Sequence, residues 1–352
     1  MKKVIGVIGC GRIANNAHFP AFSDMDNIRV KYACDLILEK AQAVKEKYAF
    51  VENVVTDYHE VLADPEVDAV YVLTPNYAHY TVTMDALRAE KHVFCEKPIT
   101  VNYDLSREMK EEADKQGKIL NIGVCNRYQK SVEILEAMYR NGEFGNLYHV
   151  YCSFRSFRSI PGLGGPFTIK EQSGGGVLID WGVHFLDLIL FILGGAKIET
   201  LTCDAYNEIA KDMKSYRYHS MWAENTADVE NGINDVEDFI TGYIRTNKAS
   251  ISFNGAWAQN IDKNEMFVDF LGDKRGARLT YGGKIQVYEG DTLKTIDPEY
   301  DIPNMYLCED RAFVESITTG VKTRSNIDNV LESAKLLDYL YRSAEKKEEI
   351  RL

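Results

Sequence analysis

A short apolar run, Val4 to Ile8, leads directly into Gly9-Cys10-Gly11-Arg12-Ile13-Ala14. This GxGxxA spacing constrains the chain more than any other feature, because each small residue answers a separate geometric demand. Gly9 permits a tight turn out of a strand. Gly11 lets the backbone approach a pyrophosphate with no Cβ in the way. Ala14 lets the following helix pack close on the sheet. The helix N-terminus, with Arg12 and Ile13 in its first turn, then offers unpaired N–H groups to the phosphates of a dinucleotide.

The next hundred residues have the rhythm that such a motif needs. Ile28 to Cys34 reads as a second strand, and Asp35 stands 24 positions after Gly11, where an acidic residue would hold the adenosine ribose hydroxyls. Leu36 comes next and no Arg or Lys adjoins Asp35, which favours NAD over NADP. Further strands at Val54–Val55, Asp68–Leu73, His92–Cys95 and Ile119–Val124 alternate with helices. That alternation predicts a doubly wound, mostly parallel α/β sheet covered on both faces, the Rossmann arrangement. Ligands of such sheets bind beyond the carboxyl ends of the strands. Thr74, Pro75 and Asn76 close one of those strands and are expected to line the cofactor.

Charge and cysteine usage narrow the function class. The formal net charge is −12, which argues against non-specific binding to nucleic acid or an anionic membrane. No apolar stretch is read as reaching the roughly 18 residues that span a bilayer. The start, MKKVIGVIGCG, is too short and glycine-interrupted for a signal peptide and reads as a mature N-terminus. Seven scattered cysteines form no CxxC pair, and the histidines form no HxH or HxxxH pair, so neither a disulfide framework nor a metal site is expected. A reducing cytoplasm fits best.

Two further constellations carry chemistry. Glu96-Lys97-Pro98 follows a strand directly, and a lysine before a proline has little backbone freedom. Such a lysine can be aimed into a cleft. The second constellation is Gly174-Gly175-Gly176-Val177-Leu178-Ile179-Asp180-Trp181-Gly182-Val183-His184. Asp180 and His184 are four apart and share one helix face within a highly apolar segment, where a charge is costly unless paired or used.

The glycine motif, the Glu-Lys-Pro triplet and the Asp-x-Gly-x-His segment, in that order and spacing, resemble one large family across nearly the whole chain. It is the family of NAD(P)-dependent oxidoreductases named after glucose–fructose oxidoreductase, inositol dehydrogenase and rhizopine catabolism proteins. The resemblance implies that Lys97, Asp180 and His184 form the catalytic group. It implies that Glu96 and Lys97 border the cofactor, and that Thr74, Asn76 and His79 line its nicotinamide side. Asn126, Arg127 and Tyr128 would lie at the junction with a substrate domain and contact substrate. The family reaction is hydride transfer between a sugar or polyol carbon and nicotinamide C4. His184 is favoured as the base, with Lys97 as its main partner, although sequence leaves open which of them carries the proton first.

The division expected is 1–125 for the dinucleotide-binding domain, 126–325 for an α+β substrate domain on an open, mostly antiparallel sheet, and 326–352 for a C-terminal helix packing back, with a frayed end. Phe253, Trp257, Phe267 and Phe270 fit either a core or a subunit interface, and the resemblance implies a homodimer or homotetramer. Arg158, in an irregular stretch, is a candidate for polar substrate groups. Residues 206–232 are long for a strand connection and gather Tyr216, Tyr218, His219, Met221 and Trp222, which departs from the typical member. The expected activity is NAD-dependent oxidation of a secondary alcohol of a sugar, glycoside or cyclitol. The alternatives are a glycoside hydrolase working through transient oxidation, and a non-catalytic NAD-binding sensor.

Overall fold

The computed structural model describes residues 2–100, 102–221 and 227–352. They form two compact units, one of residues 1–128 and 303–334, the other of residues 129–302 and 335–352.

The first unit is built on six strands: β1 (Lys3–Ile8), β2 (Ile28–Cys34), β3 (Asn53–Val55), β4 (Ala69–Val72), β5 (His92–Glu96) and β6 (Leu120–Gly123). All pair in parallel in the order β3-β2-β1-β4-β5-β6. The order reverses between β1 and β4, and that switch point is where such a sheet opens a crevice for a ligand. A π-helical turn (Ala14–His18) runs into α1 (Phe19–Ser23). Then come α2 (Leu38–Lys47), α3 (Tyr58–Ala63), α4 (His79–Arg88) and α5 (Tyr103–Gln116). Asn102 caps α5 by accepting from the Asp104 and Leu105 N–H groups, and Gly117 ends it at φ +63°.

The second unit opens with α6 (Lys130–Arg140), β7 (Leu147–Arg155) and α7 (Lys170–Ser173). A π-helical turn (Leu178–Gly182) then continues as α8 (Val183–Ile192). Its other strands are β8 (Ile198–Tyr206), β9 (Phe239–Thr246), β10 (Ser250–Ala256), β11 (Glu265–Gly272), β12 (Arg275–Thr280), β13 (Lys284–Glu289) and β14 (Thr295–Ile296). The chain ends with α9 (Met305–Thr319) and α10 (Ile327–Lys346), followed by β15 (Ile350–Arg351). The nine-stranded sheet is antiparallel except for the parallel β7–β10 pair. Its strands alternate inward and outward residues. Phe253, Trp257 and Phe270 lie in the core, whereas Phe267 is on the open face, with the Arg278 guanidinium 4.1 Å from its ring centre.

Three expectations need correction. Residues 303–325 fold with the first unit rather than with the substrate domain. The reason is apolar cover: Phe313 and Val314 of α9 pack into the cluster containing Tyr71 and Phe94. Lys346 to Glu349, expected to be a solvated and frayed end, are exposed but not a frayed end, because Ile350 and Arg351 beyond them pair with Leu201 and Thr200 as the sheet's last strand. Finally, the helical stretch Lys170–Ile192 is long and apolar enough to cross a membrane by composition, but 78 % of its apolar window is buried within the protein. It reads as a core helix.

Candidate active site

The dinucleotide motif occupies the crevice edge. Gly9 has φ +102°, and a Cβ there would stand 2.5 Å from the Leu73 carbonyl oxygen at the end of β4. Only glycine fits. A Cβ on Gly11, by contrast, would meet no atom within 4 Å, so the space over the helix start is open. Ala14 is fully buried against the sheet. Asp35 Oδ2 accepts the Cys10 N–H at 2.9 Å and Oδ1 accepts the Ile37 N–H at 2.9 Å. The carboxylate is thereby fixed beside the glycine turn, with lone pairs remaining for two ribose hydroxyls. Leu36, 85 % exposed, and the exposed Ile37 and Leu38 give a flat apolar ligand a surface beside it. These residues fit a bound dinucleotide. Lys40, which no motif singles out, is close enough to act electrostatically on Cys10.

Lys97 follows β5, and its backbone N–H donates to Glu96 Oε2 at 2.9 Å. The Lys97–Pro98 peptide is cis. Just beneath this loop lies His79, expected on the nicotinamide side. The structure buries it and directs Nδ1 to the Pro98 carbonyl at 2.7 Å and Nε2 to the Thr74 carbonyl at 2.9 Å. Both partners only accept, so both nitrogens carry hydrogen and the ring is an imidazolium. Burial opposes that charge, but Cys95 and the two carbonyls outweigh it and hold the pKa up at about 9. His79 therefore ties the Thr74–Asn76 loop to the Lys97–Pro98 loop.

In the second unit, Asp180 lies in the π-helical turn and His184 in the first turn of α8. Both are half-buried, whereas the rest of the run from Ile179 to Leu190 is buried, Trp181 excepted. Asp180 Oδ2 accepts the indole N–H of the buried Trp257 at 3.3 Å. The spacing places Asp180 and His184 on one face. A π-turn retains this, because four residues nearly complete its wider turn.

Asn126 and Arg127 are buried in a 3-10 turn, Cys125–Tyr128. Arg127 donates to the carbonyls of Arg324 at 2.7 Å and Asn329 at 3.0 Å, and the Tyr128 hydroxyl lies 2.9 Å from Ser325 Oγ. Both side chains thus anchor the segment leading into α10, where Asn326 serves as N-cap by accepting from the Asp328 N–H. Arg158 bonds to Asn260 and sits over the rings of Phe157 and Tyr216. The Tyr216 hydroxyl accepts the Ile160 N–H and the Tyr218 hydroxyl accepts the Leu163 N–H. Residues 207–221 and 156–168 therefore fold as one structure. Trp222 lies outside the described residues, and those residues contain no cluster of three potential metal ligands.

The chain is similar to known proteins along most of its length. Residues 3–124 match a model described as an oxidoreductase family with an NAD-binding Rossmann fold, and residues 132–278 match the GFO/IDH/MocA C-terminal domain. The chain belongs to the GFO/IDH/MocA oxidoreductase family. As a member of that family it is an enzyme, and its cofactor is NAD. The D-glucoside 3-dehydrogenase of Escherichia coli is 29 % identical over 341 residues, covering 97 % of this chain and 95 % of that protein. The inositol 2-dehydrogenase of Salmonella typhimurium is 31 % identical over 189 residues, covering 53 % and 54 %. Among solved structures, levoglucosan dehydrogenase with NADH and levoglucosan has a TM-score of 0.87 at 18 % identity, covering 100 % of this chain and 99 % of that one. The aldose–aldose oxidoreductase of Caulobacter crescentus has 0.84 at 21 %, covering 100 % of both. These two likenesses show the family fold.

Proposed function

We propose that this family member transfers hydride between NAD and a secondary ring alcohol of a sugar, glycoside or cyclitol, with the 3-hydroxyl of a hexose glycoside as the preferred target. The observation that carries the reaction is the half-buried Asp180 and His184 pair, one turn apart on a helix otherwise sunk in the core. Polar groups held there are costly to maintain unless they are paired or used. The choice of glycoside rests on the match to D-glucoside 3-dehydrogenase, which spans nearly all of both chains.

Bound NAD supplies the hydride acceptor at nicotinamide C4. In the oxidative direction His184 takes the hydroxyl proton as general base. Lys97 hydrogen-bonds the reacting oxygen and stabilises developing alkoxide character there. Asp180, oriented by Trp257, aligns substrate and the proton-transfer partners. Arg158 and the aromatic rings of the 207–221 segment cover the sugar, and the open sheet face bearing Phe267 joins copies of the chain into a dimer or tetramer. The seven cysteines are all free, in keeping with a reducing cytoplasm.

The test is a panel of glycosides, free sugars and inositols with NAD and NADP, read by NADH formation and product analysis. Stoichiometric NADH with a 3-keto glycoside supports the proposal. Free sugar released without net NADH would instead assign a hydrolase working through transient oxidation. No turnover of any sugar or cyclitol would remove the proposal.

A further inference from the structure

Glu96 lies buried behind Lys97 at the end of β5. One carboxylate oxygen holds the Lys97 N–H, and the other lies 3.2 Å from His18 Nε2. His18 is fully buried in the π-helical turn that follows the dinucleotide glycines. Its Nδ1 lies 3.0 and 3.2 Å from the two carboxylate oxygens of Asp310, on α9. Each ring nitrogen faces a carboxylate oxygen, so as an imidazolium His18 donates to both sides; burial raises the pKa of the Asp310 carboxyl, and the His18 charge works against that rise. Burial opposes that charge, and Asp310 and then Glu96 overcome it, holding the pKa up at about 10.

The surroundings are shaped for this cluster. A Cβ on Gly123 of β6 would stand 2.6 Å from Glu96 Oε1, so a glycine sits where the carboxylate needs room. Tyr71 and Phe94 meet the His18 ring edge-on at 5.7 and 5.2 Å, which keeps it from turning. Tyr306 lies at 6.0 Å. Buried Glu309 acts on Tyr71 and Cys125, and burial holds both of those groups in their neutral forms. Buried ion pairs rarely stabilise a fold more than apolar residues of the same volume would. Stability alone therefore gives little reason for three ionisable groups here.

We propose that His18, held by Asp310, is a positioning residue for the reaction: through Glu96 it fixes the backbone of Lys97 relative to the helix that begins at the dinucleotide glycines. This rests on Lys97 acting at the substrate oxygen. The cluster joins three elements that are distant in sequence, namely the first helix, β5 and α9. With both ring nitrogens committed, Glu96 has one place to stand, and so does the Lys97 N–H. A reacting group displaced by about 1 Å can cost about 10²-fold in rate.

The experiment uses the full chain with NAD and the best glycoside substrate, comparing Lys97→Ala, His18→Gln, His18→Leu and Asp310→Asn. It reads kcat, KM, NAD affinity and the thermal midpoint. His18→Gln and Asp310→Asn are expected to bind NAD as the parent does, with KM little changed and kcat reduced about 10- to 100-fold. His18→Gln keeps a donor and should retain more activity than His18→Leu. If the His18 variants do not fold, Asp310→Asn decides, since it keeps the shape and an acceptor for Nδ1. Parental kcat in folded Asp310→Asn, with Lys97→Ala inactive, overturns the positioning role alone. Parental kcat in Lys97→Ala overturns the role of the lysine and this inference with it.

Discussion

Tyr341 donates its hydroxyl hydrogen to Glu237 Oε1 at 2.9 Å, and the pair fixes the start of the helix that carries Asp180 and His184. The same hydroxyl accepts the Ile179 N–H at 3.2 Å. Glu237 accepts the N–H groups of Gly176 at 2.9 Å and Leu178 at 3.0 Å. Burial pushes its pKa up, and these donors work to keep it ionised. The triple glycine is what admits the pair: a Cβ on Gly175 would collide with the Tyr341 hydroxyl, and one on Gly176 with the Glu237 carbonyl. Tyr341→Phe removes both bonds of the hydroxyl: the Ile179 N–H loses that acceptor, and Glu237 Oε1 keeps the Leu178 N–H but loses its hydroxyl donor. We expect a loss of about 1–3 kcal/mol in chemical denaturation. A fall in kcat larger than the change in NAD affinity should accompany it.

The two motif glycines should separate folding from binding. Gly9→Ala forces a side chain onto φ +102° and into the Leu73 carbonyl, so it should lower the thermal midpoint and the yield of folded protein. Gly11→Ala meets no protein atom and should fold as the parent does while losing NAD affinity. Calorimetric titration with NAD, beside a melting curve, checks both. Equal NAD affinity in Gly11→Ala and the parent would place the pyrophosphate elsewhere.

Lys97→Ala and His184→Ala are expected to lose about 10²–10⁴ in kcat while still binding NAD. Asp180→Asn should be damaging through misalignment. Trp257→Phe, which removes the indole donor to Asp180 along with part of a buried ring, should fall between Asp180→Asn and the parent in kcat and also lower the thermal midpoint. Steady-state kinetics on the true substrate give the ranking. Parental kcat in both alanine variants would show that the chemistry lies elsewhere.

His79 gives the first unit a pH dependence. Its folded pKa, about 9, exceeds the ordinary histidine value of 6.5, so protonation stabilises the fold. That contribution is complete below about pH 6.5 and disappears as pH rises through about 9. Urea midpoints measured from about pH 6 to about pH 10 should decline over this window. In His79→Gln the decline should be shallower. Parallel curves for the two proteins would mean that His79 is neutral when folded.

The tyrosines of the 207–221 segment hold the irregular loop that bears Arg158. Tyr216→Phe with Tyr218→Phe frees the Ile160 and Leu163 N–H groups. We expect KM for bulky glycosides to rise with little change for small sugars. Identical KM values across substrate sizes would exclude the segment as a sugar cover.

Much of the candidate site was legible because local spacing encodes it. Gly9, Gly11 and Ala14 announce a turn, a close approach and a helix, and Asp180 and His184 share a face by helical period alone. The partners of those residues carried no such signal. Glu237 reads as one acid among several before Asp238, and Tyr341 as one aromatic in a C-terminal helix. His79, expected in the loop lining the nicotinamide side, clamps two loops through backbone carbonyls, which no sequence pattern displays.

By itself the sequence determined the alternation of strands and helices, the parallel six-stranded sheet and the dinucleotide turn. Each follows from interactions among residues a few positions apart. Only the tertiary structure decided that α9 returns to the first unit, and that the last residues extend the sheet along β8. It alone joined His18 to Asp310, 292 positions away, and Glu237 to Tyr341, 104 positions away. Burial of apolar surface brings such residues together. A carboxylate and its partner so far apart in the chain become neighbours only once that core has formed.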